Sequence, residues 1–430
     1  MAQSAQSSAT KTFSDVVCVG CGCLCDDICV TVRDNRVVEA DPLCELGRAL
    51  FFAQPAESKP AAFVDGHSAE YDEAIDRAAD VLRAAQAPLV CGLCEATCEA
   101  QQAAVALADR IGAIIDPIGS DPRSSFLTAV QQVGLATCTL GELRHRADRF
   151  LLWRANPAVT HPRFFQRYGP QANVTLLVID EHPTDTARVA DEFLLLRADG
   201  DFDLVWALRA VLHGLALPHD TERRTGLPLT TIRRLAEFLQ TATYGVVVLG
   251  GGWGSGRCDH LTIEAILVLV RELNRFRPWR VVPLVNPANQ TGAENVLAWS
   301  TGYPAAVDLR GGCPRANPGE FSAVDVLSRG EVDAAVIVGA GSPGRVPAAA
   351  RSRLATLATI VIGGDVRSMT PAPTVAFPTA RPGLEAGGIV HRMDGVPLSL
   401  RPVLSASHKT DAQVLDDIKR RIEKLQKGHS

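Results

Sequence analysis

The sequence predicts an α/β protein: a small, cysteine-bearing, β-rich N-terminal module followed by two lobes built on parallel sheets. Two patterns predict the lobes, short apolar runs such as "PLVCGL" and "DAAVIVGAG" and helical-period segments between them. Strands that alternate with helices need crossover connections, and crossovers give parallel strands with helices on both faces. The third observation is local. Five cysteines crowd the fifteen residues "VVCVGCGCLCDDICV" at 16–30, ahead of any helical pattern.

Taken in order, residues 1–13 are small and polar and read as a disordered tail. Residues 14–60 form the cysteine module, with the alternation around 29–43 reading as a hairpin turned at Asp34-Asn35. The first α/β lobe, 61–220, opens with the helix "YDEAIDRAADVLRAA", the buried strand "PLVCGL" and the helix "EAQQAAVALADRIGA". "DRFLLWRA" and "VTLLVID" continue it as strands. A polar, Pro-containing segment at 214–230 suggests a boundary, and "YGVVVLGGGWGSG", "DAAVIVGAG" and "ATIVIGGD" carry the second lobe, 221–405. The last stretch, 406–430, holds an amphipathic charged helix from about Ala412.

A chain of 430 residues has room for two or three cores, so folding does not require a cofactor. The net charge of -5 argues against nucleic acid or an anionic membrane as partner. No apolar run is long enough to span a bilayer and the first residues carry no apolar leader, so a cytoplasmic protein is expected. Twelve cysteines in that compartment stay reduced, and clustered spacing then points to metal ligation. Cys18, Cys21 and Cys25 stand as Cys-x2-Cys-x3-Cys, and Cys44 follows after a further eighteen residues. Four thiolates suit a [4Fe-4S] cluster, one per iron, or a tetrahedral zinc ion. Cys23 and Cys29 are spare. Cys91, Cys94 and Cys98 repeat the three-cysteine spacing without an evident fourth ligand and are expected as buried thiols, as are Cys138 and Cys313.

Among other polar sites, Gly251, Gly252 and Gly254 in "LGGGWGSGRCDH" stand between a strand and a helix, where glycines let backbone amides approach a phosphate. "GGDVRS" at 363–368 is a weaker companion. "GLEAGGIVHRMDG" places Glu385, His391, Arg392 and Asp394 in a turn-rich segment, and a simple Arg392–Asp394 surface pair is the bland alternative. Asn156, His161 and Arg163 in "NPAVTHPRFF" read as structural, and no G-x-S-x-G nucleophile elbow is present.

The motifs "CVGCGCLCDDI", "CELGRA", "TCEAQ", "CTLGELRHRAD", "NPAVTHPR", "ENVLAWSTGYP", "NPGE" and "GGIVHRMDGVPL" run in this order from residue 16 to about 402. Together they resemble the B subunit of formylmethanofuran dehydrogenase, a member of the molybdopterin and tungstopterin oxidoreductases. The resemblance implies that Cys18, Cys21, Cys25 and Cys44 hold a [4Fe-4S] cluster beside a bis-pterin metal centre that reduces carbon dioxide to formate. It also implies that the glycine loop at 249–260 and the Arg392–Asp394 segment lie on the pterin side. The fold it implies is molybdopterin-oxidoreductase-like without the C-terminal β-barrel domain.

One departure bears on function. The family's metal is ligated by a cysteine, with a following histidine, in a short loop that reads "DPIGSDPRSSF" here, 116–126. Ser120 and Asp121 stand where that ligand was, and Asp121 suits a helix start. The expectation is a degenerate metal–pterin site with no molybdopterin or tungstopterin bound. Such a chain resembles the B subunit of the formyltransferase/hydrolase complex of tetrahydromethanopterin-linked one-carbon metabolism. Its implied partners are an amidohydrolase-like A subunit, a C subunit and a formyltransferase subunit. Two alternatives remain: a redox-active tungsten or molybdenum protein with an altered ligand, and a zinc-stabilised structural protein.

Overall fold

The computed structural model describes residues 10–53, 60–117, 121–169, 174–251, 259–339, 341, 347–364, 366 and 371–427. The α/β expectation holds, and the chain divides into two compact units. The first comprises residues 1–119, 287–392 and 397–430, and the second 120–286 and 393–396. The units are therefore not the sequential lobes that the sequence suggests. The segment 214–230 is no boundary: Leu204 and Leu208 before it share one core with Leu227 and Ile232. The cysteine module is likewise part of the first unit.

The first unit carries a nine-stranded sheet. Its central parallel strands run, in spatial order, Ile114–Asp116, Pro88–Gly92, Ala334–Val338, Ala358–Gly363 and Val375–Pro378, with antiparallel strands added at both edges. Pro88–Gly92 and Ala334–Val338 are buried at every position, as both faces of a parallel sheet must be. Helices Tyr71–Ala84, Cys98–Ile111 and Asp411–Lys427 contribute to one core and Ala323–Arg329 and Ala348–Leu354 to another. From Pro88–Gly92 the chain turns back to one side through Cys98–Ile111, whereas Ala334–Val338 and its successors extend to the other. That reversal opens a crevice beyond the carboxyl ends of the two strands.

Strands Lys11–Val16, Ile28–Arg33 and Arg36–Asp41 make a three-stranded antiparallel sheet. Asp34 and Asn35 have φ of 51° and 56°, the two left-handed residues that a tight hairpin turn needs. Residues 11–13 belong to the first strand, through Lys11 paired to Val32, which corrects the expectation of a tail reaching residue 13.

The second unit holds a five-stranded parallel sheet, ordered Glu192–Leu195, Thr175–Asp180, Arg149–Trp153, Gly245–Leu249 and Trp279–Pro283. Just past Trp153 the chain turns at Arg154, φ 51°, whose buried guanidinium grips Asp201 through Nε (3.2 Å) and Nη2 (2.6 Å). Glycine is required at 250, because a Cβ there would lie 1.7 Å from the carbonyl oxygen of Arg154. Replacing Gly250 by Ala forces these two strand ends apart, and overpacking of this kind costs about 1–3 kcal/mol. Urea denaturation of the Gly250→Ala variant is expected to show a midpoint shifted down by that amount, with the slope unchanged.

Candidate metal centre

The loop between the first two strands is shaped by its own backbone. Cys18 N–H donates to the Cys25 carbonyl at 2.8 Å, and Leu24 N–H to the Cys21 carbonyl at 3.1 Å, with Leu24 in the left-handed region at φ 39°. These bonds fold Cys18, Cys21 and Cys25 onto one side of a tight loop, and all three are buried. Cys44 caps the helix Glu45–Phe51 in an extended conformation, its carbonyl accepting from Arg48 N–H at 2.8 Å. The four thiols lie within electrostatic reach of one another. Burial pushes the Cys18 thiol up to about 12, and Cys25, Cys21 and Cys44 each add to the rise. Backbone crowds the same sulfur: a Cβ on Gly47 would stand 3.3 Å from Cys18 Sγ, and one on Gly20 3.4 Å. Glycine at both positions leaves the sulfur a cradle of bare main chain. Among the described residues, no three His, Cys, Asp or Glu side chains form a site for a single metal ion.

Beside this loop, at the strand reversal of the first unit, lies a cavity of about 370 Å³. Gly20 and Leu46 bound it on the cysteine side, Cys94, Glu95 and Asn289 on another, and Thr379, Arg381 and Asp411 close it. Asn289 organises the wall. Its N–H donates to the Cys94 carbonyl (3.0 Å), its Nδ2 to the Ala96 carbonyl (2.7 Å), and its Oδ1 accepts from His391 N–H (2.7 Å). Buried Gln101 adds Nε2 bonds to the carbonyls of Leu93, Ala96 and Asn289. Sequence reasoning touched this crevice at Cys94, expected as a buried thiol, and at Gly363 and Gly364 of "GGDVRS", and missed Asn289, Thr379 and Arg381. Asp411 left a trace as the acidic start of the last helix, and burial there raises its carboxyl to about 6.

The other predicted residues scatter. Ser120, Gly252 and Gly254 lie outside the described residues, and Asp121 begins the helix Asp121–Val133. Gly251 is exposed, with open space where a Cβ would stand. Arg392 is buried rather than at the surface, and the carboxylate of Asp394 accepts from Leu140 N–H (2.6 Å) at the start of the helix Leu140–Arg146. Glu385 pairs with Arg381 at 2.9 Å, and His391 Nδ1 stands 2.7 Å from Asn295 Nδ2. Cys91, Cys94, Cys98 and Cys138 are buried, as expected, whereas Cys313 is exposed and corrects that expectation. His161 is a core residue, held neutral by burial near pKa 4, with Nε2 donating to the Val285 carbonyl at 3.1 Å.

Asp116 opens the loop that lacks cysteine. Its two carboxylate oxygens accept from Ala306 N–H (2.8 Å) and Ala323 N–H (2.9 Å), so it is occupied as a buried staple.

Comparison with curated proteins supplies the family. The chain is 35% identical over 414 residues, 92% of this chain and 94% of the relative, to the B subunit of the tungsten-containing formylmethanofuran dehydrogenase 2 of Methanocaldococcus jannaschii. It belongs to the B-subunit family of formylmethanofuran dehydrogenase. Among solved structures, a chain of the formyltransferase/hydrolase complex from Methylorubrum extorquens, determined with methylofuran, superposes with a TM-score of 0.70 at 26% identity, covering 86% of this chain and 100% of that one. Acetylene hydratase from Pelobacter acetylenicus shares the fold at 12% identity and a TM-score of 0.68, over 96% of this chain and 69% of that one. No protein-family model matches. The molybdopterin-oxidoreductase-like architecture expected of this family is thus present. Among the described residues, no helix is long and apolar enough to cross a membrane.

Burial raises the Asp116 carboxyl to about 7, against an unfolded value near 3.9. The folded state therefore holds the proton more tightly, and stability falls as pH rises from about 4 to about 7. Asp116→Asn removes this slope but leaves one backbone N–H without an acceptor, a loss of about 1–3 kcal/mol. The gap between unfolding midpoints at pH 5 and pH 7 is expected to narrow in the variant, the remainder coming from Asp411, while both midpoints lie below that of the wild type at pH 5.

Proposed function

We propose that this chain is the B-type subunit of a formylmethanofuran dehydrogenase-like assembly of the formyltransferase/hydrolase kind, which delivers a formyl group from its carrier as formate. Within that assembly the chain holds a [4Fe-4S] cluster and braces the other subunits. The observation that carries this reading is that the thiols of Cys21, Cys25 and Cys44 lie within electrostatic reach of Cys18, while the loop 116–126 contains neither cysteine nor histidine. Cys18, Cys21, Cys25 and Cys44 would hold the cluster, whose chemistry is one-electron transfer. Gly20 and Gly47 keep side chains away from the first sulfur. The proposed partners are an amidohydrolase-like A subunit, a C subunit and a formyltransferase subunit. Hydrophobic burial at permanent interfaces retains a chain of this kind without catalysis of its own.

A second reading has its own support. Identity to the tungsten-containing relative, 35%, exceeds the 26% to the formyltransferase/hydrolase chain, and the crevice at the strand reversal has the position in which open α/β sheets bind ligands. Under this reading a tungsten or molybdenum pterin is bound, and Asp121 or Ser120 supplies an oxygen ligand in place of thiolate.

Metal analysis by mass spectrometry on the anaerobically purified complex, with a visible spectrum, separates these readings. The expected result is about four iron atoms per chain, without tungsten or molybdenum. The Cys21→Ser variant is expected to lose the iron and the brown colour and to weaken subunit assembly. Stoichiometric tungsten or molybdenum would overturn the main reading in favour of the second. A colourless protein with one zinc ion per chain would overturn both.

A further inference from the structure

At the amino-terminal edge of the second unit's sheet, opposite the carboxyl ends of its strands, arginines collect. Arg149, Gly245 and Trp279 begin three adjacent strands and stand in register. Tyr244, just before Gly245, lies under two guanidiniums, with Arg146 4.3 Å and Arg280 5.5 Å from its ring centre. Arg149 lies over Phe238 at 5.6 Å. Arg144 precedes this group, and Arg275 and Arg277 come from the turn that enters the Trp279–Pro283 strand.

Few carboxylates answer them. Glu142 pairs with Arg146 at 2.5 Å, and Asp148 stands 3.6 Å from Arg149. Asp148 is also engaged by the N–H groups of Thr243 and Tyr244, and Asp394 by that of Leu140. Arg144 donates to the Arg167 carbonyl, and Arg280 to Asn274 Oδ1 (2.8 Å) and the Trp279 carbonyl (2.9 Å). Among the described residues, Arg144, Arg275, Arg277 and Arg280 have no carboxylate partner. Four positive charges thus stand uncompensated on a chain whose net charge is -5. Between Arg275 and Arg277, Phe276 is 56% exposed.

We infer that this edge is a docking surface for an acidic segment of a partner protein. Planar guanidiniums that are fixed by stacking lose little freedom when they bind carboxylates bidentately. An exposed aromatic among arginines supplies the desolvated anchor that protein interfaces use. The overall negative charge repels an extended polyanion, so a short acidic protein segment fits better than nucleic acid. The inference rests on reading the chain as a member of an assembly, but it concerns one surface of it. Intact assembly with no peptide binding refutes the docking surface alone.

The test uses the full chain and a fluorescent oligoglutamate peptide, followed by anisotropy across a salt series. Wild-type protein is expected to bind, with affinity falling steeply as salt rises. The Arg275→Glu/Arg277→Glu variant alters only exposed side chains and is expected to lose about tenfold or more in affinity, because both attraction and its sign change. Arg280→Glu serves as a second variant, with circular dichroism to confirm folding. Reversal of Arg188 and Arg223 elsewhere on the unit is expected to leave binding within about twofold. The inference is overturned by absent wild-type binding at low salt, by an equal loss in the Arg188/Arg223 control, or by tighter binding of an oligonucleotide of matched charge.

Discussion

A buried polar group must find a hydrogen-bond partner, and in the first unit that requirement converges on Asn289. Its amide reaches the loop after the Pro88–Gly92 strand and the hairpin strand Gly388–His391 at once. Those segments are far apart in sequence, so one side chain fixes the wall of the crevice and the place of the hairpin together. The hairpin in turn covers the cysteine loop, with Val390 and Leu400 packed against Val17 and Leu24. An apolar residue at 289 would leave the His391 N–H buried without its acceptor and the Ala96 carbonyl with Gln101 Nε2 alone. The packing around the cysteine loop therefore depends on a residue outside it.

The same logic of pinning by local bonds applies to the cysteine loop and to the strand that ends at Asp116. The cysteine loop is closed by main-chain bonds and by contacts with the hairpin, all within the first unit. Asp116, at the head of the altered loop, keeps a structural task in gripping the amides of Ala306 and Ala323. The strand that leads into this loop is pinned whatever residues the loop carries. Fold and chemistry are separable here because different residues carry them.

Much of this was legible beforehand, and the parts that were not share a cause. The Asp34-Asn35 turn, the buried strands and the helix from Asp411 could be read because each depends on local spacing or backbone preference. The cysteine spacing was equally local. The division into units could not be read, because it depends on which distant strands pair: Ala334–Val338 inserts beside Pro88–Gly92 across a stretch that contains the whole second sheet. Asn289 and Gln101 carry no signature either, since an amide in a core is recognised by its partners and not by its neighbours in sequence. The glycine run at 249–260 gave a true geometric signal at Gly250, where the chain passes the Arg154 carbonyl.

The interleaved course of the chain has a consequence for how it is made. Synthesis delivers residues 120–286, nearly all of the second unit, before the strands Ala334–Val338 and Ala358–Gly363 exist. The inner unit can condense on the ribosome while the cysteine loop, already emerged, still waits for Val390 and Leu400. Until then the apolar face of Val17 and Leu24 lacks its cover. The packing that covers the loop is thus among the last to be completed, because Val390 and Leu400 leave the ribosome after both sheets have their strands.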